Sequence, residues 1–221
     1  MGFEFKFDVM LEAFPELMQG AVLTVEIAFV GLLIGFALGV CAGLAKTSKI
    51  KAIKAIAVIY IESIRGTPIM VQVMFIYFGL PLALGMRIPP FTAATVSIAI
   101  NAGAYIAEIV RGSIESIDKG QTEAGRSIGL SHQKNLLYVV WPQAFRRMIP
   151  PLGNQLIISI KDTALFVVIG VGELTRTGQE IIAVNFRAFE VWMAVAMIYL
   201  AITLTLSKIL NYSEAKLGLT K

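Results

Sequence analysis

Five apolar stretches decide what this chain can become. Residues 20–45, 55–80, 92–112, 150–173 and 188–210 each reach the ~20 residues that a helix needs to cross a ~30 Å hydrocarbon core. Apolar residues make up 57% of the 221, and charged ones only 15%. That balance excludes an ordinary soluble domain and predicts an all-α integral membrane protein with five transmembrane helices in one domain over 1–221.

The basic residues set the expected orientation. The N-terminal segment is acidic, with Glu4, Asp8, Glu12 and Glu16 against Lys6. The first connection carries Lys46, Lys49, Lys51 and Lys54, and the third carries Lys119, Arg126, Lys134, Arg146 and Arg147. An N-terminus outside and a C-terminus in the cytoplasm follow. The net charge of +4 is explained by this asymmetry, so no nucleic-acid partner is invoked. The N-terminus does not read as a cleavable signal peptide. Cys41 and His132 are the only cysteine and histidine, poor material for a metal site or an intramembrane enzyme. The sequence has no GxxxxGK[ST] loop, so any driving nucleotide is expected on another chain.

Polar residues inside the spans mark a candidate path, because intramembrane charge is expensive and usually faces a cavity or a partner. The second span holds Glu62, Arg65, Thr67 and Gln72, with Gly66 and Pro68 predicting a kink and a freed Ile64 carbonyl. The third holds Asn101, with Tyr105 one turn on. The fourth, entered at Pro150-Pro151, holds Gln155, Lys161 and Asp162. An amino acid zwitterion needs a cation (Arg65 or Lys161) and an anion (Glu62 or Asp162). The competing expectation is that these charges pair with one another and hold a gate. Gly31, Gly35, Gly39 and Gly43 give the first span a small-residue face, for static packing or for a moving neighbour. In the outer fourth connection, Glu173, Arg176 and Glu180 are either a solvated loop or a docking point for a solute-delivering protein.

The stretch from Gln121 to Pro142 is the one motif-bearing polar segment. Its residues predict a short helix over 121–128 ending at Gly129, a residue suited to the left-handed conformation. Ser131 then caps a second helix, which Pro142 stops. Two short helices meeting at a glycine corner make a knob that fits a groove on a partner.

Glu123-Ala124-Gly125, Gly129 and Val139-Val140-Trp141-Pro142 resemble the cytoplasmic "EAA" loop of ABC importer permeases. The runs IESIRGTPIMVQVMFIYFGLP, NAGAYIAEIVRGSIESIDKGQTEAGRSIGLS and WPQAFRRMIPPLGNQLIISIKDTALFVVIGVGELTRTGQEI are similar to polar amino acid permeases of that family. The resemblance implies a type I importer fold in a bacterial plasma (inner) membrane. It implies a coupling loop over about 113–148 in which Glu123, Ala124, Gly125, Gly129, Leu130 and Ser131 meet an ATP-binding subunit. Two such ATPases, holding ATP and Mg, a second permease subunit (the same chain or another) and an extracytoplasmic binding protein complete the machine. Glutamine or a basic amino acid is the implied substrate, and the chain itself does no bond chemistry. Gly125 departs from the pattern, which more often has Ala there. An ion-coupled secondary transporter is the alternative, disfavoured by the docking loop and by the lack of a visible inverted repeat.

Overall fold

A computed structural model describes residues 4–216. Its elements, in order, are α1 (Phe7–Lys46), α2 (Lys51–Arg65), α3 (Ile69–Met74), a π turn (Phe75–Gly79), α4 (Leu80–Leu84) and α5 (Pro90–Glu115). Then come α6 (Lys119–Ser127), α7 (His132–Asn135), a second π turn (Leu136–Val140), α8 (Trp141–Asp162), a 3-10 segment (Thr163–Ile169), α9 (Leu174–Asn185) and α10 (Ala188–Lys216). Among the described residues, four continuous helical stretches are long and apolar enough to cross a membrane, and α2 with α3–α4 makes a fifth as a bent pair.

The first span departs from expectation in length. α1 starts at Phe7, and its 40 residues extend about 60 Å at 1.5 Å per residue, twice a bilayer core. The early turns are helical because Met10, Ala13, Leu17 and Ala21 share one face and bury against Leu174, Val191, Ala194 and Val195. Further along, the glycine face lies on α5 of the same chain. A Cβ on Gly31 would come within 2.7 Å of the Ile98 side chain, and one on Gly43 within 2.7 Å of the Ala107 carbonyl. Within this chain the face therefore serves static packing of α1 against α5.

The second span breaks where a kink was expected: α2 and α3 meet at 103° across Gly66–Pro68. Pro68 cannot donate to the Ile64 carbonyl, and the Gln72 side-chain amide does so instead at 2.7 Å. The same amide reaches the Thr67 carbonyl at 3.0 Å, so the exposed turn ends are satisfied locally. Irregular backbone at this depth is tolerated because Thr67 and Pro68 line a cavity and the freed groups are met by Gln72.

Pro142 does not stop the second helix of the loop, contrary to expectation. Helix runs on from His132 through Ile169. The π turn Leu136–Val140 widens the coil, so that Trp141 N–H bonds back to Leu136, and Pro142 enters as the second residue of α8. The same device recurs before Pro81, where Leu80 N–H bonds back to Phe75. An i→i−5 turn ahead of a proline relieves the ring's clash with the preceding turn. The consequence is one continuous helical rod from the polar loop to the middle of the membrane.

On the outer side of the expected orientation, Glu173 caps α9. Its carboxylate accepts from Thr175 N–H, Arg176 N–H and the Tyr199 hydroxyl at 3.0, 2.7 and 3.0 Å. Burial pushes its acidity weaker than a free glutamate's, against those stabilising donors. Arg176 and Glu180 pair with each other at 2.7 Å.

Candidate functional site

The break in the second span, α5 and α8 enclose a cavity of 320 Å³. Thr67 and Pro68 come from the break, Asn101 and Tyr105 from α5, and Gln155, Ile158 and Asp162 from α8. Residues from three separate sequence regions thus converge, including four of the candidate path residues. Gln72 is buried behind the wall, where its carbonyl oxygen accepts from Asn101 Nδ2 at 3.0 Å while its amide ties down the break. It positions Asn101 and Thr67 but does not line the cavity.

The chemistry of the cavity is set by what its polar groups leave open. Among the described residues, the Asp162 carboxylate makes neither a salt bridge nor a hydrogen bond, and the neighbouring Lys161 charge acts on it only through space. Lys161 is exposed and does not line the cavity. Among the described residues, the Gln155 amide also has no hydrogen-bond partner. The Arg65 guanidinium does not line the cavity but lies over the ring of Tyr105, which does, 5.4 Å from its centre in cation–π geometry. An anion, amide groups and a nearby guanidinium are the groups that would recognise a small polar zwitterion.

Glu62 and Arg65, one turn apart, are not paired with one another. Glu62 bridges to Lys46 at 3.4 Å, and Arg65 lies 3.8 Å from Glu108. Glu108 is the hub: Lys46 Nζ sits 2.6 Å and Arg111 2.9 Å from its oxygens, and Arg111 also bridges to Glu115. The cluster joins the end of α1, the end of α2 and α5. Sequence reasoning missed Glu108 as a site residue. The signal was present in the Glu108–Arg111 and Arg111–Glu115 spacings of three and four, which place these charges on one helix face.

Removing the hub has a calculable consequence. Glu108→Gln leaves Lys46, Arg65 and Arg111 short of a counter-charge at a site mostly withdrawn from solvent. A loss of about 2 kcal/mol is expected, below the range for fully buried pairs because water still reaches the cluster. Thermal unfolding of the purified protein checks it, and an unchanged Tm would show that the cluster is not cohesive.

The polar loop forms the expected elbow. Asp118 accepts from Gly120 N–H at 2.7 Å to cap α6. At its far end Gly129 has φ +85°, and two bonds close a Schellman turn: Gly129 N–H to Arg126 O at 2.9 Å and Leu130 N–H to Gly125 O at 3.1 Å. Ser131 Oγ accepts from Lys134 N–H at 3.4 Å to start α7. Glu123, Ala124, Gly129 and Ser131 are exposed on this elbow, Leu130 is half-buried and Gly125 is buried.

Gly125 is buried for a reason absent from the sequence reading. A Cβ there would overlap Asn135 Oδ1, and the Asn135 amide meanwhile donates to the Thr122 carbonyl at 2.8 Å. Asn135 is the pin between the two helices of the elbow. Gly125→Ala gains ~1 kcal/mol of helix propensity but must displace this buried amide, which costs ~1–3 kcal/mol in unmet hydrogen bonding. The variant is therefore expected to be no more stable than the parent and to lose coupling. Pairing it with Asn135→Ala should recover much of the loss. Full activity of the single variant would show that the pin is dispensable.

Residues 31–217 match the family model described as "Binding-protein-dependent transport system inner membrane component". The chain belongs to that family. It is 56% identical to the glutamine transport system permease protein GlnP of Escherichia coli (strain K12), over 97% of this chain and 98% of that one. It is 36% identical to the arginine transport system permease protein ArtQ of Bacillus subtilis (strain 168), with 96% of each chain covered. A solved chain from "an amino acid ABC transporter with histidines" superposes with a TM-score of 0.92 at 42% identity, covering 97% of this chain and all of the other. The protein is thus a multi-pass permease subunit of an amino acid ABC importer, a transport component and not an enzyme. Members of the family work with an ATPase and a substrate-binding protein.

Proposed function

We propose that this permease carries a polar amino acid, glutamine first among them, through the cavity between the broken second span, α5 and α8. The observation that carries the reading is the Asp162 carboxylate, without a salt bridge or hydrogen bond among the described residues, facing a cavity with amide walls. Asp162 receives the α-ammonium, Asn101 and Gln155 meet the side-chain amide, and Arg65 draws the carboxylate from the rim. The high identity to a glutamine permease supports that substrate. Glu62 works with Lys46 in the Glu108 cluster, which we read as a latch between α1, α2 and α5.

The same reading assigns the exposed elbow, Glu123 to Ser131, to the ATPase groove. The N-terminus lies outside and the C-terminus in the cytoplasm, in accord with the lysine- and arginine-rich connections. Two copies of the ATPase, which hold ATP and Mg, dock on a pair of permease subunits; we favour two copies of this chain. An outside binding protein delivers the substrate. The continuous helix from His132 to Ile169 links elbow to cavity, so a shift of the ATPase moves Gln155 and Asp162 directly.

Competition at the level of uptake tests the substrate assignment. Proteoliposomes holding the permease, its ATPase and the binding protein should take up labelled glutamine, with unlabelled glutamine competing better than arginine. Preference for arginine would reassign Asp162 to a side-chain cation and overturn glutamine as first substrate.

A further inference from the structure

A second cavity, of 530 Å³, lies between α1 and α2, outside the path and away from the elbow. Leu38, Cys41, Ala45, Ile53, Ile56 and Tyr60 form most of its wall. Small residues on α1 keep it open, and the Tyr60 hydroxyl is turned inward to donate to the Ile100 carbonyl at 2.8 Å. Apart from the Cys41 thiol, the wall is therefore apolar. Its membrane-surface end is the turn joining α1 to α2, which carries Lys49, with Lys51 and Lys54 in the first turn of α2.

These three lysines differ from their neighbour Lys46, whose ammonium is held by Glu108 and Glu62. Lys49, Lys51 and Lys54 are exposed, and none is ion-paired among the described residues. An apolar slot that ends near a turn and helix start carrying three exposed lysines has the charge pattern of a headgroup site. We propose that this groove is a binding site for an anionic phospholipid, its acyl chain lying between α1 and α2 and its phosphate held by Lys49, Lys51 and Lys54. α2 leads directly into the break beside the substrate cavity, so an occupied groove would brace the arm that carries Thr67 and Pro68.

Native mass spectrometry of the permease–ATPase complex, released from detergent with phosphatidylglycerol or phosphatidylcholine of the same acyl chains, tests this. Retention of phosphatidylglycerol about tenfold above phosphatidylcholine is expected for three lysines near one phosphate. Lys49→Gln, Lys51→Gln and Lys54→Gln together should erase that preference, and Ala45→Leu, which fills the slot, should lower retention of both lipids. Equal retention of the two lipids by the unaltered complex would overturn the proposal and leave only annular lipid. Efficient disulfide crosslinking of two chains through Cys41 by copper phenanthroline would also overturn it, because a second copy would then cover the groove.

Discussion

Asp162→Asn should cut amino acid uptake about 100-fold while leaving the permease folded and its ATPase bound. The size follows from the loss of one charge-assisted contact in the cavity, worth ~2–3 kcal/mol, at ~1.4 kcal/mol per decade. Fold loss is not expected, since among the described residues Asp162 holds no ion pair or hydrogen bond that the substitution would break. The change is close to isosteric, so the 320 Å³ cavity keeps its shape. Uptake and ATP hydrolysis measured side by side separate the two interpretations. Uptake lost with hydrolysis kept places Asp162 on the substrate; equal loss of both gives it a structural task instead.

Gly129→Glu should abolish coupling, by contrast, with the membrane-embedded part intact. Gly129 sits at φ +85°, where a side chain costs roughly 1–2 kcal/mol of backbone strain. No atom lies within 4 Å of the place its Cβ would occupy, so the clash is not internal. The glutamate would instead project from the corner that we assign to the ATPase groove, adding a bulky charge to a close-fitting contact. Co-purification of the ATPase should fall to background, and uptake with it. Gly129→Ala, which brings the strain without the bulk, should retain part of both. A Gly129→Glu variant that transports normally would remove the elbow from the docking surface.

Much of this was legible in the sequence because bilayer thickness and glycine conformation act locally. The spans follow from length and hydropathy, and the αL turn at Gly129 with its Ser131 cap follows from residue type alone. Residues on three different spans, Thr67, Asn101, Gln155 and Asp162, could be named as path candidates because polar groups in hydrocarbon need a reason. What the sequence did not disclose was which charges meet. Glu62 and Arg65 read as a pair one turn apart, but tertiary packing gives each a nearer partner on another helix. The local Glu108–Arg111 spacing was visible, but Glu108 could not be read as a hub because two of its partners, Lys46 and Arg65, lie 62 and 43 residues away. Pro142 read as a stop because proline normally ends helices. A π turn, which no single residue type signals, lets the rod pass through it.

On the proposed reading, a partner ATPase moves this rod and so opens the cavity to each side in turn. The most direct measurement is uptake of labelled glutamine into proteoliposomes holding the permease, its ATPase and the binding protein, with and without ATP inside the ATPase-facing compartment. Uptake that requires ATP there, and that disappears with Gly129→Glu, is the predicted result. Uptake that proceeds without ATP and follows an ion gradient would contradict the account.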